Sequence, residues 1–138
     1  MKQILIFLLV LFGLSLSAFG QHTVEVTITN IQESKGDVYL GVYNSETGFP
    51  DQNKTYKNTI VQAEAGSVTI TLDLPPGNYA ISVYHDANRN GKLDKNMFGA
   101  PTEYYGFSNN ARSLFSAPGF DACKVEVPNT KAITIDLH

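Results

Sequence analysis

From residue 23 onward the chain alternates apolar and polar positions in short β-favouring stretches. In 23–31, Val24, Val26 and Ile28 share one face while Glu25, Thr27 and Thr29 share the other. In 37–43, Val38, Leu40 and Val42 alternate with Tyr39, Gly41 and Tyr43. A weaker stretch covers 59–63. Val68, Ile70, Leu72 and Leu74 point one way in 67–74, and Tyr79, Ile81, Val83 and His85 do so in 78–85. The stretches 124–127 and 132–137 close the pattern with Val125, Val127, Ile133, Ile135 and Leu137. A period of two is the signature of half-buried strands. Turn chemistry separates the runs: Ser34-Lys35-Gly36, Ala65-Gly66, Pro75-Pro76-Gly77-Asn78 and Pro128-Asn129. Pro cannot donate to a ladder and Gly allows positive φ. Seven one-sided strands predict an all-β fold, an antiparallel β-sandwich in the immunoglobulin-like or prealbumin-like manner.

The first 20 residues follow another rule. Lys2 precedes an unbroken apolar run from Ile4 to Phe12, and the small residues Ala18 and Gly20 are separated by one position. That order is an export signal, with cleavage expected between Gly20 and Gln21. The run falls short of the ~20 residues a spanning helix needs. The expectation is therefore an exported protein, periplasmic or secreted, with residues 21–138 forming one domain and no membrane span remaining after cleavage.

Composition narrows the field. The full chain is 43% hydrophobic, but the leader concentrates that character, so the remainder is a domain of ordinary hydrophobicity. Its single Cys, Cys123, has no partner for an intrachain disulfide and reads as a small buried hydrophobe. A formal net charge of -3 offers no phosphate-neutralising surface, which excludes a nucleic-acid binder.

One stretch does not fit a minimal sandwich. No strand is predicted between Asp86 and Lys124, and connections longer than ~12–15 residues are usually functional or disordered. This one carries Phe98, Tyr104, Tyr105, Phe107, Phe115 and Phe120, so it is expected to be one long ordered loop. Its rings either form a satellite core or line a ligand or partner surface. In the second case Tyr104, Tyr105, Phe107, Ser108, Asn109, Asn110 and Arg112 supply the contacts.

The loop opens with Asp86-Ala87-Asn88-Arg89-Asn90-Gly91-Lys92-Leu93-Asp94. Calcium takes six to eight oxygens at flexible geometry, and side chains at positions 1, 3 and 5 converge when the backbone wraps an ion. Asp86, Asn88 and Asn90 occupy those positions, Gly91 permits the turn, Lys92 offers its carbonyl, and Asp94 fills position nine. Met97 stands where a calcium hand places a bidentate Glu. Glu103 is the residue placed to complete the shell. Arg89, Lys92 and Lys95 offset the carboxylates, so binding would be weak. A plain Asn90-Gly91 turn with Asx caps explains the same residues.

The segment Leu74-Pro75-Pro76-Gly77-Asn78-Tyr79-Ala80-Ile81 resembles the signature of prealbumin-like β-sandwich modules. Over 23–138 the chain resembles a family of exported bacterial proteins, domain of unknown function 2141. The likeness is carried by Tyr84-His85-Asp86, Asn90-Gly91-Lys92-Leu93-Asp94, Tyr105-Gly106-Phe107-Ser108-Asn109-Asn110-Ala111-Arg112 and Phe120-Asp121-Ala122. It implies an exported single-domain sandwich and brings no activity, substrate or cofactor.

Catalytic chemistry is not indicated. His85 and Asp86 are adjacent on a strand and point to opposite faces, so they cannot readily form a triad with Ser108. His22, His85, His138 and Cys123 lack zinc-ligand spacing. Two hypotheses stand: a non-catalytic interaction module with a calcium-stabilised loop, or a carbohydrate- or small-ligand-binding protein, or weak hydrolase, using the aromatic segment.

Overall fold

The computed structural model describes residues 20–138. Apart from Gly20, the predicted export signal lies outside the described residues. The strands are β1 (His22–Ile31), β2 (Asp37–Tyr43), β3 (Lys57–Gln62), β4 (Gly66–Leu74), β5 (Gly77–Asp86), β6 (Tyr105–Phe107), β7 (Val125–Val127) and β8 (Ala132–Asp136). One short helix, α1 (Phe120–Cys123), precedes β7.

Two sheets face each other. The first has the order β4-β1-β8 and the second β3-β2-β5-β6, with β7 also paired to β5. The alternating residues pack as their period requires. Val24, Val26 and Ile28 from β1 meet Val38, Leu40 and Val42 from β2 and Ile81 and Val83 from β5 in one continuous core. Tyr79, in the turn signature, is buried there, and its hydroxyl donates to the Pro75 carbonyl at 2.7 Å. This bond fixes the Pro-Gly turn against the strand it starts.

The structure departs from the predicted strand set in two ways. The region between Asp86 and Lys124 contains a strand, β6, which pairs antiparallel with Ser82, Val83 and Tyr84. Three residues are too few to show alternation. In addition, β8 runs parallel to β1, with Ile28 opposite Ile135, so the first sheet is mixed. Parallel pairing follows from the path of the chain, which strand periodicity does not report.

The sheets also meet at one edge. Tyr105 and His138 exchange backbone hydrogen bonds at 3.2 and 3.0 Å. Gly106 makes the approach feasible, since a Cβ there would lie 2.9 Å from Ile135 Cγ2 and 3.1 Å from the Asp136 carbonyl. Cys123 is fully buried and packs with Ala80 and Phe107 in a second, smaller core.

Candidate functional site

Strands β2 and β5 are buried on both faces. Their inner face is the sandwich core. Their outer face carries cross-strand rows set by register: Tyr39 beside Tyr84, Gly41 beside Ser82, and Tyr43 beside Ala80. Tyr39 and Tyr84 stack with ring centroids 4.9 Å apart. Loops cover this face, because hydroxyl-bearing rings need both apolar cover and a polar partner at the tip.

The segment between β2 and β3 supplies much of the cover. Phe49 stands edge-on to Tyr43, Phe107 and Phe120. Tyr43 donates its hydroxyl proton to the Pro50 carbonyl at 2.9 Å. Tyr84 donates to Gln52 Oε1 at 3.2 Å. Burial raises the Tyr43 and Tyr84 phenols; for Tyr84 the nearby Asp86, Tyr39 and Glu103 charges push in the same direction.

Between this cover and the loops after β5 a cleft of ≈ 810 Å³ remains open. Tyr43, Ser82, Tyr84, Tyr105 and Phe107 line its sheet side. Lys92, Lys95 and Phe98 belong to one bordering loop, and Leu114 and Phe115 to another. The volume lies in the range of small-molecule sites, which join mostly apolar walls to a few polar groups.

The predicted calcium loop folds as a tight turn around its own polar groups. Asp86 is buried; its Oδ1 accepts from Asn90 N at 3.2 Å and its Oδ2 from Gly91 N at 2.8 Å. Asn88 and Asn90 each donate a side-chain amide proton to Asp94, both at 2.6 Å. Those two bonds, Asn90 first, hold the Asp94 carboxyl below its ordinary value. Glu103 Oε2 accepts from Asp94 N at 3.0 Å. Burial, then repulsion from Asp94 and Asp86, outweighs that bond and raises the Glu103 carboxyl. Lys92 donates its backbone N–H to Asn90 Oδ1 and is one of the residues lining the cleft. Gly91 has φ of 76°, the left-handed turn its position called for. Among the described residues no three His, Cys, Asp or Glu side chains are grouped so as to hold a metal ion. Gln52 Nε2 donates to the Gly91 carbonyl at 2.8 Å and so ties this turn to the tyrosine row.

The predicted aromatic surface separates into two kinds of residue. Tyr105 and Phe107 line the cleft. Ser108, Asn109 and Asn110 instead act as structural straps. The buried Ser108 hydroxyl accepts from Ile81 N at 3.0 Å and donates to the Cys123 carbonyl. It thereby replaces ladder bonds where β5 passes from β6 to β7. Asn109 Nδ2 donates to the Lys124 carbonyl at 2.9 Å, and Asn110 Oδ1 accepts from Asp136 N at 2.8 Å. Both residues take positive φ, which Asn tolerates better than most side chains. Tyr104 and Arg112 are exposed and are not among the cleft-lining residues.

Tyr43, Gln52, Ser82 and Tyr84 were not predicted as site residues. A signal existed for the tyrosines: alternation places Tyr39, Tyr43 and Tyr84 on a face that would otherwise be polar. The structure also separates the groups a triad would need. The His85 ring Nε2 lies 2.6 Å from the Lys35 carbonyl, while Asp86 and Ser108 serve the backbone.

The fold and the site together define a two-sheet β-sandwich protein with a loop-walled cleft on one outer face. Residues 26–136 match the family described as an uncharacterized protein conserved in bacteria (DUF2141), and the chain belongs to that family. No curated protein and no solved structure matches it. Among the described residues no helix is long and apolar enough to cross a membrane.

Proposed function

We propose that this chain is an exported, non-catalytic binding module whose outer-face cleft receives a small ligand bearing an apolar ring or chain. The observation that carries the reading is the cleft itself: about 810 Å³ bordered by half-buried Tyr105 and Ser82 and by exposed Phe98, Leu114 and Phe115, above the buried rings of Tyr43, Tyr84 and Phe107. Ser82 and the Tyr84 hydroxyl supply polar points on the same wall. The engagement of His85, Asp86 and Ser108 in structural bonds supports a binding role over catalysis. The test is titration with anilinonaphthalene sulfonate, an apolar anionic dye, followed by competition with sugars, aromatic acids and fatty acids. Saturable fluorescence enhancement that falls several-fold in Ser82→Trp, which fills the cleft, is the expected result. Non-saturable enhancement equal in both proteins counts against the reading.

A second reading is supported by the turn at Asp86. Rotating the Asn88 and Asn90 amides would offer their oxygens beside Asp94, the Lys92 carbonyl and Glu103. Those oxygen donors suit Ca²⁺. An ion there would offset both the burial and the smaller repulsion from Asp94 and Asp86 that raise Glu103 and, through Gln52, stiffen one wall of the cleft. Calcium at ~1 mM, the weak range of extracellular modules, is expected to raise Tm in the wild type and not in Asp86→Ala. An unchanged wild-type Tm removes calcium from the account and leaves the cleft reading standing.

A further inference from the structure

Three of the four most exposed large apolar side chains in the described residues border one cleft. Met97 is 90% exposed, Phe98 87%, Leu114 92% and Phe115 98%. Phe98, Leu114 and Phe115 border the same cleft mouth, from two separate loops, and Met97 precedes Phe98. A side chain directed into a cleft is partly covered by the opposite wall, and exposure this high means that these four project outward. Contiguous exposed apolar groups mark interaction or membrane sites.

The charges beside them are mostly positive. Lys92 and Lys95 line the mouth, and Arg112 is exposed two residues before Leu114. Among the described residues the only ion pair joins Arg89 to Asp37; Lys92 makes no such pair, though its charge helps to lower the nearby Asp94 carboxyl. The carboxylates of the same loop are engaged in hydrogen bonds: buried Asp86 with the turn amides, Asp94 at the surface with Asn88 and Asn90, and Glu103 with Asp94 N. Asp51 is the one carboxylate lining the cleft, and it accepts from Asn53 N.

We infer that this mouth docks on an anionic lipid surface, with Met97, Phe98, Leu114 and Phe115 entering the acyl boundary and Lys92, Lys95 and Arg112 meeting the headgroups. Apolar tips ringed by cations complement such a surface in both layers. A symmetric dimer through the same patch would set the cations of two copies against each other, which disfavours a second copy as the occupant. The inference does not require a ligand in the cleft.

The test is cosedimentation of the full chain with phosphatidylglycerol vesicles and with phosphatidylcholine vesicles. The apolar leader is common to every variant, so the ratio between proteins is the readout. Phe98→Ser with Phe115→Ser is expected to weaken binding to phosphatidylglycerol at least about tenfold. Lys92→Glu with Lys95→Glu is expected to weaken it by about fivefold or more per cation, with little change on phosphatidylcholine. All four positions are exposed, and unchanged thermal melts show that the variants fold. Binding ratios near one for both variants overturn the inference. So does a concentration-dependent dimer, abolished by the Phe98 and Phe115 changes, in a protein that ignores phosphatidylglycerol.

Discussion

The two sheets follow the same alternation and treat their outer faces in opposite ways. On the first sheet the outward positions are Glu25, Thr27 and Thr29 on β1 and Thr69, Thr71 and Asp73 on β4. These form a solvated ladder with side-chain bonds such as Thr23 to Asp73 at 3.0 Å. On the second sheet the outward positions are Tyr39, Tyr43, Ser82 and Tyr84, and two long segments fold down over them. Short β-branched hydroxyls are satisfied by water and by each other. Tyrosine rings carry too much apolar area for that, so the chain spends its long connections covering them. The cover buries the three rings and leaves Ser82 part-exposed beside the cleft. What distinguishes the bare face from the covered face here is the residue type in the outward register.

The sharpest challenge to this comparison is a matched pair of truncations. Tyr43→Ala removes a buried ring and its bond to Pro50, and is expected to cost about 3–5 kcal/mol in urea unfolding. Thr27→Ala on the bare face is expected to stay within about 0.5 kcal/mol. Similar losses for both would mean that the cover contributes no burial. Next in size is Ser108→Ala. It leaves Ile81 N without its acceptor inside the protein, with an expected cost of about 1–3 kcal/mol. Native-state hydrogen exchange should then speed first at Ile81 and across β7; a change confined to Asn109 and Asn110 would argue against the strap.

The smallest effect concerns pH. The folded protein raises the Glu103 carboxyl above its ordinary 4.5, chiefly through burial. A raised folded value contributes stability below the unfolded value, and that contribution is lost as pH rises through the folded one. Glu103→Gln keeps an acceptor for Asp94 N and removes the charge. Relative to wild type it should therefore gain stability as pH climbs from about 4 to about 7. Asp94 acts with the opposite sign. Its carboxyl is lowered by Asn90 and Asn88, so its contribution is present above its ordinary 3.8 and fades on acidification. A urea midpoint difference for Glu103→Gln that is flat with pH would show the turn to be more solvated than its hydrogen bonds imply.

The legible part of the fold was the part with a period. Val24, Val26, Ile28, Val38, Leu40, Val42, Ile81 and Val83 were readable as core because period two recurs along each strand. β6 was not readable, since Tyr105, Gly106 and Phe107 are held as a strand by β5 and by His138 rather than by a pattern of their own. The turn at Asp86 was legible as a turn, because Gly91 and the Asx positions encode it locally. Whether its oxygens take an ion is set by side-chain rotation, which residue spacing leaves free. At the aromatic segment, residue type alone did not separate Tyr105 and Phe107, which line the cleft, from Ser108, Asn109 and Asn110, which hold distant backbone. Their partners Ile81, Cys123, Lys124 and Asp136 come from remote positions. Gln52 was invisible for the same reason: its role lies in meeting Tyr84 and Gly91 at once.

The central claim is that the covered face of the second sheet is the binding face. An amide-resolved NMR titration with anilinonaphthalene sulfonate tests it most directly. The account predicts saturable shifts at Ser82, Val83 and Tyr84, at Lys92–Lys95 and Phe98, and at Ser113–Ala117, with β1 and β4 unmoved. Shifts concentrated on the Thr27 and Thr69 ladder, or spread evenly without saturation, would contradict it.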